Sequence, residues 1–505
     1  MKKIYGLITI LSAVTLLISC TVKPPESEVI PGKEQYRPQY HFSPQKNWTN
    51  DPNGLVYYDG EYHLFYQYNP YGDTWGHMSW GHAVTKDLLH WEQLPVAIEE
   101  YPDPATGDST MIFSGTVVVD KNNSSGLCSG KECMVAIYTS HVHKDGEGKR
   151  QHQSLAYSDD KGRTWKRYDK NPILDIQLKD FRDPKVFWYE PQQKWVMVLV
   201  IPDQFKTQFY ESNNLTQWNK MSEFGPMGDT LKIWECPDIY ELPIEGTDQK
   251  KWVLSLSNSH PQGPKFVGMQ YFIGQFDGTK FTPDDPNQKP LYVDYGKDFY
   301  AGITFNNMPK EDNRTILLGW ANNWTYGNKI PTSPWRSAMS LPRELTLKST
   351  TEGIRLNQRP IHSLTSLRGK ELKANEIAGK QLELEIEIDA AGAEEAGVKV
   401  LKSGEEETII GYDAVKEELF LDRTNSGNVT FHADFASVER VKLKPINGKI
   451  SLHIFIDHSI IEVFGNDGEQ VISDQVFPTK DDEKVESYSK DGAPKITMKA
   501  WKLGK

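Results

Sequence analysis

Cysteine is scarce: four in 505 residues, none in the paired spacing of a zinc or redox site. No HExxH run is present either, so the helix-borne metal signature is missing, and no metal or other cofactor is signalled. Positive charge is also short. The 57 Lys and Arg form no block against 69 Asp and Glu, and a net charge of −12 argues against nucleic acid as a partner, because that affinity needs cations against phosphate. No stretch keeps a sustained 3.6-residue apolar period, which argues against a helical bundle. The apolar run Ile4–Ile18 is too short for an ordinary membrane span.

What is abundant points to an all-β chain. Gly (38), Pro (30), Tyr (23), Phe (20) and Trp (14) favour many short strands joined by tight turns. A length of 505 residues implies two or three domains.

The N-terminus reads as a processing signal over residues 1–19. Lys2 and Lys3 precede the apolar run, which ends in Leu17-Ile18-Ser19-Cys20. This resembles a bacterial lipobox, in which Cys20 is lipidated and becomes the first mature residue; an ordinary signal peptide with a chance cysteine is the alternative. Residues 20–36, polar and proline-containing, read as a tether. The expectation is an exported protein held at a bacterial membrane surface, periplasmic or outer, with membrane contact through that anchor alone. An oxidising compartment permits a loop disulfide between Cys128 and Cys133, which spacing alone does not decide. Cys236 is left over and reads as buried filler.

From about residue 37 to 347, strand-like runs such as Tyr62–Tyr68, Met134–Tyr138 and Trp195–Val200 alternate with turn clusters. A loose repeat recurs: Val84-Thr85-Lys86-Asp87-Leu88-Leu89-His90-Trp91, then Tyr157–Trp165, Glu211–Trp218 and, more weakly, Gly274–Phe281. Its aromatic anchors stand about 53 to 74 residues apart, which suits four-stranded propeller blades with insertions. Four copies in this span imply five blades, one degraded; a β-sandwich enzyme domain is the structural alternative. Residues 348–370 read as a linker. From 371 to 505 the texture changes to alternation, as in Leu382-Glu383-Leu384-Glu385-Ile386-Glu387-Ile388, the mark of a strand with one wet face in a sandwich.

Three carboxylates occupy unusual turn settings in the first domain. Asp51 lies in Asn47-Trp48-Thr49-Asn50-Asp51-Pro52-Asn53-Gly54, where Asp-Pro and Asn-Gly build a rigid corner. Asp183 follows Arg182, whose guanidinium is expected to keep it ionised, and precedes Pro184. Glu235 stands between Trp234 and Cys236, an apolar setting suited to a proton donor. Each has a plainer reading: an Asx turn, a structural ion pair and a capped acid at a strand edge. Together, in separate blades amid aromatics and amides, they match the acid set of glycoside hydrolysis.

Beyond these acids, the chain resembles glycoside hydrolase family 32, the invertases, inulinases and levanases. The likeness rests on Trp48–Gly54, Phe65–Pro70, Trp75–His82, Phe113-Ser114-Gly115, Phe181–Pro184, Trp234–Pro237, Gly319–Trp324, Pro334-Trp335-Arg336 and Asp457–Phe464. It implies a five-bladed β-propeller followed by a C-terminal β-sandwich. It implies Asp51 as nucleophile, Asp183 as transition-state stabiliser and Glu235 as acid/base in a retaining mechanism, with the Asp51 and Glu235 carboxyls roughly 5 Å apart. Asn50, Gln67, Trp75, Phe113, Ser114 and Trp320 match positions lining the family's fructose pocket. Arg182 is expected to orient Asp183, and Asp298 to add a substrate contact. The substrate implied is a fructan, levan or inulin, or a fructo-oligosaccharide, with sucrose also in range. An arabinan- or xylan-active propeller glycosidase and a non-catalytic glycan-binding lipoprotein are the alternatives.

Overall fold

The computed structural model describes residues 34–102, 106–260, 262–309, 311–481 and 483–504. Cys20, the signal segment and most of the tether lie outside the described residues. Among these residues strands dominate, and no helix is long and apolar enough to cross a membrane.

Five antiparallel sheets occupy the chain up to residue 360. Their first long strands are Asn47–Tyr58, Ser109–Asp120, Arg182–Tyr189, Glu235–Pro243 and Tyr300–Thr304. These inner strands pack against one another in cyclic order, the fifth returning to the first. The ring is closed by Trp335–Arg336, which pairs in parallel with Asn47 and Trp48. Side chains also cross the axis. Asn306 Nδ2 donates to Thr116 Oγ1 and to the Val117 and Val186 carbonyls, and the buried Lys185 ammonium reaches the Thr304 carbonyl at 2.6 Å and Asp238 at 3.3 Å. Cyclic packing about an axis makes this a β-propeller.

The sequence repeat has a physical basis. Each copy is the turn that leads into the outermost strand of a sheet, held by a short polar side chain accepting backbone N–H groups. Asp87 accepts from Leu89 and His90, Asp160 from Thr164, Asn214 from Thr216 and Gln217, and Asp277 from Thr279 and Lys280. The fifth sheet uses Thr350 instead, accepting the Glu352 N–H, with no aromatic beside it. That substitution hid the last hairpin. Residues 348–360, read as the start of a linker, instead complete the strand Arg343–Thr350 and form Gly353–Pro360, so the propeller runs to about 360 and the connector shortens to the 3-10 turn His362–Leu367 and its flanks.

The second domain is a sandwich of a six-stranded and a five-stranded antiparallel sheet. Leu382, Leu384, Ile386 and Ile388 point into its core with Val398, Ile410, Leu421 and Ile454, as the alternation required. Its docking surface is polar at the centre. Asp457 accepts the backbone N–H groups of Gln39, Tyr40 and His41 and pairs with the His41 ring. Glu462 receives the Leu341 N–H at 2.6 Å and the Arg343 guanidinium at 2.7 Å. Burial opposes a charge on His41, but hydrogen bonds to Asp457 and Glu462 raise its pKa to about 9. Cys128 and Cys133 form a disulfide, with Cα atoms 5.3 Å apart. Glu383, Glu385 and His453 cluster on the sandwich, where Arg368 bonds both glutamates and fills the position a cation would take.

Candidate active site

All five inner strands break register at the same level. The breaks fall between Thr49 and Pro52, Ile112 and Gly115, Arg182 and Lys185, Glu235 and Asp238, and Tyr300 and Ile303. Asp183, Cys236 and Ala301 take positive φ there (62°, 45° and 52°). A bulge re-aims side chains, and left-handed backbone at non-glycine residues costs about 1 kcal/mol or more each. The residues these bulges turn inward are those the sequence singles out: Asp51, Phe113 and Ser114, and Asp183, with Glu235 at the edge of its own break.

Asp51 is buried. Its Oδ2 accepts the Ser114 hydroxyl at 2.6 Å and its Oδ1 the Asn50 amide at 2.9 Å. Burial raises its pKa, with the Glu235 charge adding and the Ser114 and Asn50 bonds opposing. Asp183 sits on Cys236: its Oδ2 accepts the Cys236 N–H at 3.0 Å, and the Thr139 hydroxyl accepts the Asp183 N–H. The Cys236 thiol joins the two acids, 3.4 Å from Asp51 Oδ2 and 3.8 Å from Asp183 Oδ2. Burial beside three carboxylates pushes this thiol well above its usual range, so it stays protonated and donates.

The electrostatics correct one expectation. Arg182 does not dominate Asp183. Its Nη2 donates to Glu235 Oε1 at 3.1 Å and its Nη1 to Asp180 at 2.9 Å, while its Nε stands 3.7 Å from Asp183. Burial therefore wins over the guanidinium, and with the charges of Glu235 and Asp51 it raises Asp183 to about 7. Glu235 departs from expectation as well. Trp234 turns away into the cluster of Phe224, Phe272 and Leu254, so the carboxyl is framed by polar donors: Arg182 on Oε1 and the Tyr300 hydroxyl on Oε2.

Around the acids, Gln67 Nε2 holds Asn53 Oδ1 at 2.8 Å and the Ile112 carbonyl at 3.0 Å. Trp320, fully buried, packs with Trp48 and Trp324, and its indole N–H has no partner among the described residues. Phe113 stacks on His141 at 4.3 Å and meets Trp75, which is 41% exposed.

Asp298 does not reach this pocket. It is 1% exposed, and its carboxylate is taken up by Arg423, the Gln475 N–H and the Tyr326 hydroxyl at the sandwich interface. Its segment is stitched to the sandwich strand Gln470–Gln475. There Gly296 is required by close approach: a Cβ would lie 2.1 Å from the Ser473 carbonyl oxygen. The residue of this segment that meets an acid is Tyr300, two places on. Sequence reading found the stretch and missed the residue, and it passed over Cys236, which carries the contact between Asp51 and Asp183.

Three carboxylates brought together from separate inner strands of a propeller, two on one thiol and the third held by a guanidinium, are the acid set of a glycoside hydrolase. Comparison with known proteins is in agreement. Residues 41–360 match the glycosyl hydrolases family 32 N-terminal domain and residues 350–502 the family's C-terminal domain. The chain belongs to glycosyl hydrolase family 32. It is 48% identical over 516 residues to the levanase of Bacillus subtilis (strain 168), covering 98% of this chain and 74% of that protein. The extracellular exo-inulinase inuE of Aspergillus niger is 41% identical, covering 91% and 93%. The crystal structure of exo-inulinase from Aspergillus awamori superposes with a TM-score of 0.88 at 39% identity, over 94% of this chain and 99% of that one.

Proposed function

We propose that this protein is an exported, retaining β-fructosidase that removes fructosyl units from levan or inulin, with sucrose also accepted. The observation that carries this reading is the convergence of Asp51, Asp183 and Glu235 about Cys236 and Arg182. In the proposed cycle Glu235 protonates the leaving oxygen and Asp51 attacks the anomeric carbon of the fructosyl unit. Water then breaks the fructosyl–Asp51 bond, with Glu235 as base. The Ser114 and Asn50 bonds favour the ionised form of Asp51, as a nucleophile requires. Asp183 holds sugar hydroxyls, through bonds that tighten as the ring flattens. Asn50, Gln67, Trp75, Phe113, Ser114 and Trp320 line the fructosyl pocket, and each of the five sheets is one blade. The sandwich shields apolar propeller surface. Lipidation at Cys20 tethers the enzyme to a bacterial membrane surface.

The test is product analysis on levan, inulin and sucrose with wild type and Glu235→Gln. Free fructose from the first time point is expected of a closed, exo-acting pocket, and a ladder of oligosaccharides of an open cleft. Loss of a general acid costs about 10²–10⁴ in rate. No release from any of the three by wild type would sink the reading.

A further inference from the structure

The segment Asp229–Trp234, which leads into Glu235, is firmly anchored. The Asp229 N–H bonds Gln270, and the Asp229 carboxylate accepts the Tyr292 hydroxyl at 2.8 Å. The Trp234 indole donates to the Asp229 carbonyl at 2.9 Å, and the Trp234 N–H to the Pro202 carbonyl at 3.2 Å. Between these anchors Leu231 and Ile233 stand 65% and 41% exposed, which is unusual for large apolar side chains on a rigid segment.

Lys232 lies between them, half-buried. Among the described residues its ammonium has neither a hydrogen bond nor an ion pair. Lys232 stands three residues before Glu235, on the segment that leads into that strand, and the Glu235 charge acts on it. Burial pushes the ammonium down, and the carboxylate opposes this. A half-buried cation with three unused donors is poorly satisfied by protein alone. Its place follows from the chemistry assigned above. Asp51 attacks from one side of the scissile bond, and Glu235 meets the leaving oxygen on the other. The sugar beyond that oxygen must therefore pass the Glu235 side, where Lys232 is.

We propose that Lys232 is a positioning residue for the leaving-group sugar. Its ammonium donates to hydroxyls of the unit beyond the scissile bond, while Leu231 and Ile233 contact the apolar faces of that unit and the next. Tyr71 and Trp75 are likewise exposed, 74% and 41%, and Trp75 packs edge-on against Phe113, the neighbour of the Asp51 partner Ser114. This inference rests on the fructosidase reading and adds to it the recognition of the departing chain.

The experiment measures kcat and KM of the full chain, its Lys232→Met variant and its Lys232→Arg variant. The substrates are a fructo-oligosaccharide and methyl β-fructofuranoside, whose leaving group is too small to reach Lys232. Lys232→Met is expected to lose about tenfold or more in kcat/KM on the oligosaccharide, mainly through KM, the value of one charge-assisted hydrogen bond. The loss on the methyl glycoside is expected to be several-fold smaller, and Lys232→Arg to restore most of the oligosaccharide activity. Equal losses on both substrates, or none on either, overturn the proposal while leaving the fructosidase reading intact. A wild type inert on both substrates overturns both.

Discussion

Replacing Asp183 by Asn is expected to stabilise the protein while removing its activity, and the structure sets both the sign and the size. The Asp183 carboxyl is fully buried, and its pKa rises from an ordinary 3.8 to about 7. An acid whose folded value is raised holds a proton that the unfolded chain has released. Stability from that proton is complete below about pH 4, falls by about 1.4 kcal/mol per pH unit, and is gone above about pH 7. The full span is on the order of 4 kcal/mol at neutral pH. Asparagine resembles the protonated acid: its carbonyl still accepts the Cys236 N–H, and Arg182 keeps Glu235 and Asp180. Urea unfolding of both proteins from about pH 4 to about pH 8 should show a gap near zero in acid that widens in favour of the variant toward neutrality. Fructose release by the variant should fall by about 10² or more, the stability–activity exchange expected of a strained, charged site. A variant less stable than wild type at pH 8, or a gap that does not change with pH, would refute the account of Asp183 as a carboxyl held against burial.

The corrected place of Asp298 yields a second expectation. Arg423→Met removes the buried guanidinium shared by Asp298 and Asp474 and should cost about 3–5 kcal/mol by urea unfolding, because uncompensated charge stays behind. Residual folded variant should also turn over more slowly, since the loosened segment runs into Tyr300 and Glu235. Unchanged unfolding and unchanged kcat together would return Asp298 to the list of substrate contacts. At the N-terminus, Cys20→Ala should shift the enzyme from the membrane pellet to the soluble fraction of fractionated cells. Wild type found wholly in the soluble fraction would dismiss the anchor.

Much of this molecule is written locally. Asx turns at Asp87, Asp160, Asn214 and Asp277 repeat because each hairpin solves the same problem, capping a twisted blade with a side chain that accepts backbone N–H groups. Period-two alternation in Leu382–Ile388 separates a dry face from an acidic one, of which Glu383 is itself buried against Arg368 and His453. Asp-Pro and Asn-Gly at Asp51–Gly54, and Arg-Asp-Pro at Arg182–Pro184, mark backbone corners that need those residue types, so the carboxylates riding on them stand out. The fifth hairpin was missed because Thr350 can make the turn with no aromatic and no aspartate.

Tertiary structure decided what depends on distance along the chain. Which partner Arg182 takes cannot be read from its neighbour Asp183, because Glu235, on the next inner strand, offers a better-placed oxygen. Whether a buried acid is charged depends on the sum of burial and every nearby charge, so Asp183 came out opposite to what its adjacent guanidinium suggested. Asp298 and Tyr300 lie two residues apart, yet one is taken by the sandwich and the other by Glu235, a division that exists only once the two domains dock. The sequence by itself determined most of the strands and turns and singled out the three acids. Their convergence required five bulges at one level around a closed ring, and ring closure is a long-range property that no local stretch contains.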